Sequence, residues 1–218
     1  MSRTLDVRLR DETPVRIRPI IPEDGPRLAE GLKELSPRSR YLRFLRSVDT
    51  LSNQELTYLT NVDYDTHFAW VAFDVSTPQP RGIGVGRYAQ FEPGAAEAAV
   101  VVLDRYQHRG LGGILLRLVA ETASEHGIRR FRAWVSPQNA VVMQALEQWD
   151  IDRRLEEGAV VVDIPLPLPS TPLEDSPLYR TLRAAARGEL RVHPHATQDP
   201  SDAFGEFDDG GDQDPRPA

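Results

Sequence analysis

The residues QHRGLGG, Gln107 to Gly113, follow an apolar extended stretch that ends near Asp104 and precede an amphipathic one that starts near Gly110. A strand-to-helix turn of this kind presents main-chain amides without intrahelical acceptors at the positive end of a helix dipole, and glycines let a ligand approach the backbone. The chemistry this suits is anion binding, of a pyrophosphate above all. The architectural alternative is that Gly110, Gly112 and Gly113 only ease a tight turn and close helix packing. A second set, Gly84, Gly86 and Ala89, matches the relaxed dinucleotide pattern G-x-G-x-x-A. Val85, Arg87, Tyr88 and Phe91 nevertheless continue as an extended segment where that pattern demands a helix. These glycines are read instead as points of close backbone approach or a bulge in a central strand.

Other chemistries fall by inventory. There is no cysteine, which excludes disulfides, thiolate metal sites, iron–sulfur ligation and cysteine nucleophiles. The only lysine, Lys33, sits in GLKELS, neither after a phosphate-binding glycine loop nor in a Schiff-base context. The five histidines include no H-E-x-x-H pair; no metal site is expected, and His193 with His195 would bind a metal only weakly.

The chain has 218 residues and a net charge of −7. Residues 195–218 hold seven acids against Arg216, or −6, which leaves −1 for residues 1–194. Such a neutral body lacks the basic footprint of a phosphate-backbone binder, so nucleic acid is not an expected partner. No apolar run approaches eighteen residues and no apolar segment follows the N-terminal charges. A cytoplasmic protein without a membrane span is expected.

Residues 14–168 carry alternating strand and helix signals and are read as one domain behind an N-terminal tail, 1–13. Val15, Ile17 and Pro19 to Ile21 suggest a first strand. Ser36 with Pro37 starts a helix carrying Tyr41, Leu42 and Leu45, and SNQE (Ser52 to Glu55) is a capping box. Arg38, Arg40, Arg43 and Arg46 read as a solvated helix face. HFAWVAFDV, GIGVGRYAQF and EAAVVVLD, separated by turn-like segments, predict three antiparallel strands. Leu111, Ile114, Leu115, Leu118 and Thr122 predict a helix from Gly110 to His126, stopped by Gly127. RRFRAWVS is the next strand, Ser136 and Pro137 cap a helix through about Trp149, and GAVVVDIPL is the last strand. This order is α+β with a mixed, mostly antiparallel sheet flanked by helices. Beyond it, 169–193 read as a proline-containing linker with a short helix, and 194–218 as an acidic tail unable to offset its ordering entropy.

The stretch QHRGLGG between strand and helix resembles the acyl-CoA signature [RQ]-x-x-G-x-[GA] of the GNAT N-acetyltransferases, and residues 15–166 follow that family's element order. SPRSRYLRF (Ser36 to Phe44), GVGRYAQ and AEAAVVVLDRYQHRGLG are similar to the acetyltransferase domain of bacterial protein lysine acetyltransferases that modify acyl-CoA synthetases. The resemblance implies a sheet with splayed central strands. It also implies acetyl-CoA as cosubstrate, its pyrophosphate around Gln107, His108, Arg109, Gly110, Leu111, Gly112 and Gly113. The pantetheine would lie along Val101, Val102 and Leu103. Asn139 matches a position that often contacts the cofactor, and is equally an ordinary polar residue of a first helical turn.

Acyl transfer to an amine requires the neutral base, whereas a lysine amine has a pKa of about 10.4. By the resemblance, Glu97 stands where lysine acetyltransferases place a catalytic glutamate, a role worth typically about 10²- to 10⁴-fold; by itself it is a solvated strand-end glutamate. With no cysteine available, direct attack in a ternary complex is expected, and the resemblance implies that the oxyanion meets a backbone amide near Val101 to Leu103. Three readings stay open: a protein lysine acetyltransferase, possibly acting on an acyl-CoA synthetase; a small-amine acetyltransferase; and a noncatalytic acyl-CoA binding module. Two features depart from the family. The helix from Gln138 ends in LEQWDIDRR, without the usual leucine–glycine–phenylalanine turn, and it lacks the tyrosine that many members use to protonate the departing thiolate.

Overall fold

The computed structural model describes residues 3–147, 151, 153–168 and 193–194. The elements are β1 (Arg3–Arg8), β2 (Pro14–Pro19), α1 (Gly25–Glu34), α2 (Pro37–Phe44), α3 (Asn53–Thr60), β3 (His67–Asp74), β4 (Arg81–Glu92) and β5 (Ala95–Val102). They continue with α4 (Leu111–Glu125), β6 (Arg130–Val135), α5 (Ala140–Glu147), β7 (Arg153–Glu156), β8 (Ala159–Pro165) and β9 (His193–Pro194). Among the described residues these strands form one sheet in the order β7-β8-β6-β5-β4-β3-β2-β1-β9. Every neighbouring pair is antiparallel except β5 with β6, and α4 supplies the crossover a parallel pair requires. No described helix is long and apolar enough to cross a membrane, and no described group of His, Asp and Glu could hold a metal.

The parallel pair is short. Ala95, Ala96 and Glu97 pair with Arg130, Phe131 and Arg132, after which β5 stays with β4 as far as Val102 opposite Gly84. Strand β6 stays with β8 as far as Val135 opposite Val160. The central strands therefore splay beyond Glu97. Registers Val71–Val85–Val101 and Ala69–Arg87–Ala99 share one face, which α1, α2 and α3 cover. The other face carries Gly84, Gly86 and Tyr88 under α4. There a Cβ on Gly86 would lie 2.9 Å from Val119 Cγ2 and one on Gly84 3.1 Å from Leu115 Cδ1, so these glycines admit the helix to the strand. Leu111, Ile114, Leu115 and Val119 are buried against it, and Thr122 satisfies the buried Trp70 Nε1 at 3.0 Å.

Four sequence expectations need correction. Residues 3–8, expected to lie in a tail, form β1 against β2; Leu5, Val7 and Leu9 alternate with polar neighbours, and Val7 and Leu9 are buried. Strand β7 has no counterpart among the predicted elements, which place a helix through about Trp149 and the next strand at 158–166. All four of its residues are exposed, so it has no periodic signature, and it is held by a two-residue turn with positive φ at Glu157 and Gly158. Helix α5 starts at Ala140, not after Ser136, because Asn139 N closes a turn onto Ser136 O (2.9 Å) and Asn139 Oδ1 then accepts from Val142 N (3.3 Å). The arginines of α2 do not form one solvated face, since Arg43 turns inward, as described below. The expected linker helix and acidic tail lie outside the described residues, apart from His193 and Pro194, which pair with Thr4 and Arg3.

Candidate active site

Helix α4 begins behind Gly110, whose φ of +92° only glycine adopts without strain. The first helical bond runs from Ile114 N to Gly110 O (3.2 Å), so the amides of Leu111, Gly112 and Gly113 precede the ladder. A Cβ on Gly112 would meet only Val102 Cγ2 at 3.9 Å, and one on Gly113 nothing within 4 Å. Packing thus asks for glycine at neither position, although glycine in a helix costs roughly 1 kcal/mol against alanine. The bare main chain with open space in front of it fits a diphosphate, and only Gly110 is explained by the turn itself.

The flanking residues tie this loop to α2. Gln107 Nε2 donates to Val102 O (3.0 Å) and Ser39 Oγ (3.3 Å). Asp104 accepts from Ser36 N (2.9 Å), Ser36 Oγ (2.7 Å) and Ser39 Oγ (2.7 Å). Burial raises the Asp104 pKa, but these donors more than offset it and hold the carboxyl below its ordinary range. Arg38 donates to Gln138 O (3.3 Å), so α2 spans from the end of β5 to the turn after β6. His108 is exposed with φ +60°. The Arg109 guanidinium is committed elsewhere: to Asp11 (2.6 Å), the Arg105 carbonyl and the face of Tyr106.

Glu97 is exposed at the last position of β5 that pairs with β6, on the register row His67–Ala89–Glu97. That row belongs to the α1–α3 face of the sheet, where a cleft open to solvent is lined by Ala99, Val101, Leu103, Arg43 and Arg87. Burial lowers the Arg43 pKa, and the attraction of Glu97 partly restores it; the Arg43 guanidinium stacks over its neighbour Phe44. Arg87 is buried and donates to Leu59 O (3.3 Å), and it contacts His67 Nε2. Burial, then repulsion by Arg43, brings its pKa down to about 10, while Tyr58 and Glu97 oppose the shift. His67 is pushed down to about 4 by burial and by Arg87, against Asp63, so at neutral pH it is an uncharged acceptor.

The fold thus puts Glu97 on the sheet face that bears the cleft lined by Val101, and brings Val102, Leu103, Gln107 and Gly110 to Gly113 to the end of the same strand. It gives Asn139 a capping bond at the start of α5 and Arg109 an ion pair at the β1–β2 turn. Sequence reasoning missed Arg43, Arg87 and His67. Only Arg87 left a trace there, as a charge inside the otherwise apolar strand GIGVGRYAQF.

The model of the acetyltransferase (GNAT) family matches residues 33–150. An acetyltransferase of Pseudomonas aeruginosa is 35% identical over 132 residues, 60% of this chain and 71% of that protein. The acetyltransferase Pat of Mycolicibacterium smegmatis is 32% identical over 81% of this chain, which spans only 53% of Pat. The crystal structure of the GNAT domain of S. lividans PAT superposes with a TM-score of 0.67 at 30% identity, covering 75% of this chain and 97% of that domain. Family model, relatives and the splayed sheet with its open glycine turn agree: the chain belongs to the GNAT acetyltransferase family and is an acetyl-CoA-dependent N-acetyltransferase.

Proposed function

We propose that the acceptor is a lysine amine of a protein and that Glu97 is the general base for its direct attack within a ternary complex. Acetyl-CoA, when bound, supplies the activated acyl thioester. The amides of Leu111, Gly112 and Gly113 suit its diphosphate, and Val101 to Leu103 its pantetheine arm. Glu97 accepts the ammonium proton, directly or through one water. Arg43 and Arg87 disfavour a second positive charge nearby, which biases the incoming amine toward its neutral form. Because the chain has no cysteine, a cysteinyl acyl-enzyme is impossible.

The observation that carries this reading is the position of Glu97, exposed at the fork of β5 and β6 on the cleft side and within the field of two desolvated guanidinium groups. A protein acceptor is supported by aromatic residues around it: Tyr58 is 58%, Phe91 46% and Trp134 40% exposed. Exposed aromatic and arginine side chains are enriched at protein-recognition surfaces. The likeness to lysine acetyltransferases points the same way. The test is incubation with labelled acetyl-CoA and a native lysate, followed by mass spectrometry of modified lysines, with a purified acyl-CoA synthetase as first defined acceptor. Label on protein lysines that drops about 100-fold or more in Glu97→Gln, with CoA binding retained, is expected. Label confined to small amines rejects the protein acceptor, and equal rates in the variant remove Glu97 from the mechanism.

A further inference from the structure

The cleft holds positive charge that the chain itself does not balance. Arg87 is buried in β4 on the register row Ala69–Arg87–Ala99, and Arg43 reaches the same cleft from α2. The partners of Arg87 are the Leu59 carbonyl (3.3 Å) and His67 Nε2, while Arg43 lies over the ring of Phe44. Among the described residues neither guanidinium forms an ion pair. Asp24 stands in the cleft wall, but it is committed to Arg18 (2.7 Å) and Arg27 (3.3 Å). Among the described residues, the carboxylate that acts on both arginines is that of Glu97, from beyond ion-pair distance. A desolvated cation without a fixed counter-charge is costly in the free protein and complementary to an anion brought by a ligand.

Glu97 cannot fill that role throughout the reaction proposed above. Once it has accepted the amine proton it is neutral, and both guanidinium groups lose their compensation at the moment of transfer. Acetyl-CoA does not restore it, because its acyl end is uncharged and its diphosphate is assigned to the glycine turn beyond the C-terminal end of β5. We infer that Arg87 and Arg43 bind a carboxylate of the acceptor, an aspartate or glutamate beside the target lysine, and so select acidic sites on the protein substrate. The inference rests on the proposed protein-lysine reading. The spacing agrees with it. Arg87 and Glu97 are diagonal neighbours across β4 and β5, about 7–8 Å apart at Cα, and an extended acceptor repeats its side chains on one side every ~7 Å. An acid two residues from the lysine therefore reaches the guanidinium pair while the amine stands at Glu97.

The test is steady-state acetylation, by the full chain with saturating acetyl-CoA, of capped nonapeptides that carry a central lysine and either Glu or Gln two residues before and two after it. A kcat/KM about tenfold or more higher for the Glu peptide is expected, the worth of one charge-assisted hydrogen bond. The difference should lie in KM and shrink as ionic strength rises. In Arg43→Met the Glu-to-Gln ratio should fall at least about threefold, whereas a merely structural role would slow both peptides alike. Equal kcat/KM for the two peptides in the wild type overturns the inference without any variant having to fold, as does an unchanged ratio in Arg43→Met. Where neither peptide reacts, the lysines labelled in a native lysate decide. An excess of Asp and Glu within four residues of them, at least about twofold over unlabelled lysines of the same proteins and lost in Arg43→Met, supports the inference, and its absence overturns it. Label confined to free amines, with no protein lysine modified, refutes the protein-acceptor reading itself and is distinguished from the other outcomes by that arm alone.

Discussion

Replacing Gly112 and Gly113 together by alanine separates the two readings of the glycine turn, because they predict opposite signs for stability and binding. The new methyl groups meet only Val102 Cγ2 at 3.9 Å, or nothing, so no overpacking arises. Glycine to alanine gains about 0.8–1.0 kcal/mol in a helix interior. Halved for a first turn, the pair should stabilise the fold by about 0.5–1.5 kcal/mol, a rise in Tm of about 2–5 °C for a domain of this size. The same methyl groups occupy the space through which a diphosphate reaches the amides. Lengthening one such charge-assisted bond forfeits about 1.5–3 kcal/mol, or about 10- to 100-fold in affinity for CoA. Scanning calorimetry of the free variant and titration with CoA measure the two quantities on one sample. A variant that melts lower than the wild type would show that the glycines serve packing. CoA affinity within about twofold of wild type would remove the cradle from the site.

Gly86→Ala should do the reverse, costing about 1–3 kcal/mol in urea denaturation because its Cβ would sit 2.9 Å from Val119 Cγ2. His67, pushed down to about 4 in the folded state against about 6.5 unfolded, contributes stability that is present above pH 6.5 and is lost as pH falls from there toward 4. Discounted for its partial exposure, the loss is about 1–2 kcal/mol, and His67→Gln should flatten the denaturation midpoint over that range. Arg43→Met removes a desolvated cation and should leave the midpoint unchanged or higher while lowering kcat/KM about tenfold; a destabilised variant with full turnover would make Arg43 structural.

Much of this was legible in the residues. Leu111, Ile114, Leu115 and Thr122 set the α4 stripe, and SNQE capped α3 through Ser52 and Glu55 as expected. The glycine turn announced itself because three glycines stood where an apolar strand gave way to an amphipathic helix. What stayed hidden depended on partners distant in sequence. Strand β7 has no buried face and exists only by pairing with β8. Asn139 displaced Ser136 as cap because the chain first turns over Ser136, which local propensity does not report. Arg43 is solvated in an isolated helix and becomes a cleft residue only once Asp104 fixes the N-terminus of α2 through Ser36 and Ser39. Glycines 84 and 86 were readable as points of close approach, but not which helix approached.

The site follows from one topological necessity. A sheet in which β5 and β6 run parallel must send the chain back through a crossover, and α4 therefore begins just past the C-terminal end of β5, where helix dipole and free amides meet. Each of these two strands has an antiparallel neighbour that holds it through its full length, β4 for β5 and β8 for β6. Twist between them therefore concentrates in the three-residue parallel seam and opens a gap beyond it. Glu97 is the last residue of that seam. The proposed base, the gap and the turn proposed for the diphosphate are thus successive features of one strand and its exit, at residues 97, 98–102 and 107–113. Their relative positions are fixed by β5 pairing with β4 rather than by any loop. Changes in α1, α2 or α3 should accordingly alter which acceptor is taken and leave that spacing untouched. A variant of the helical layer that moved the CoA affinity and the acceptor preference in equal proportion would contradict this division.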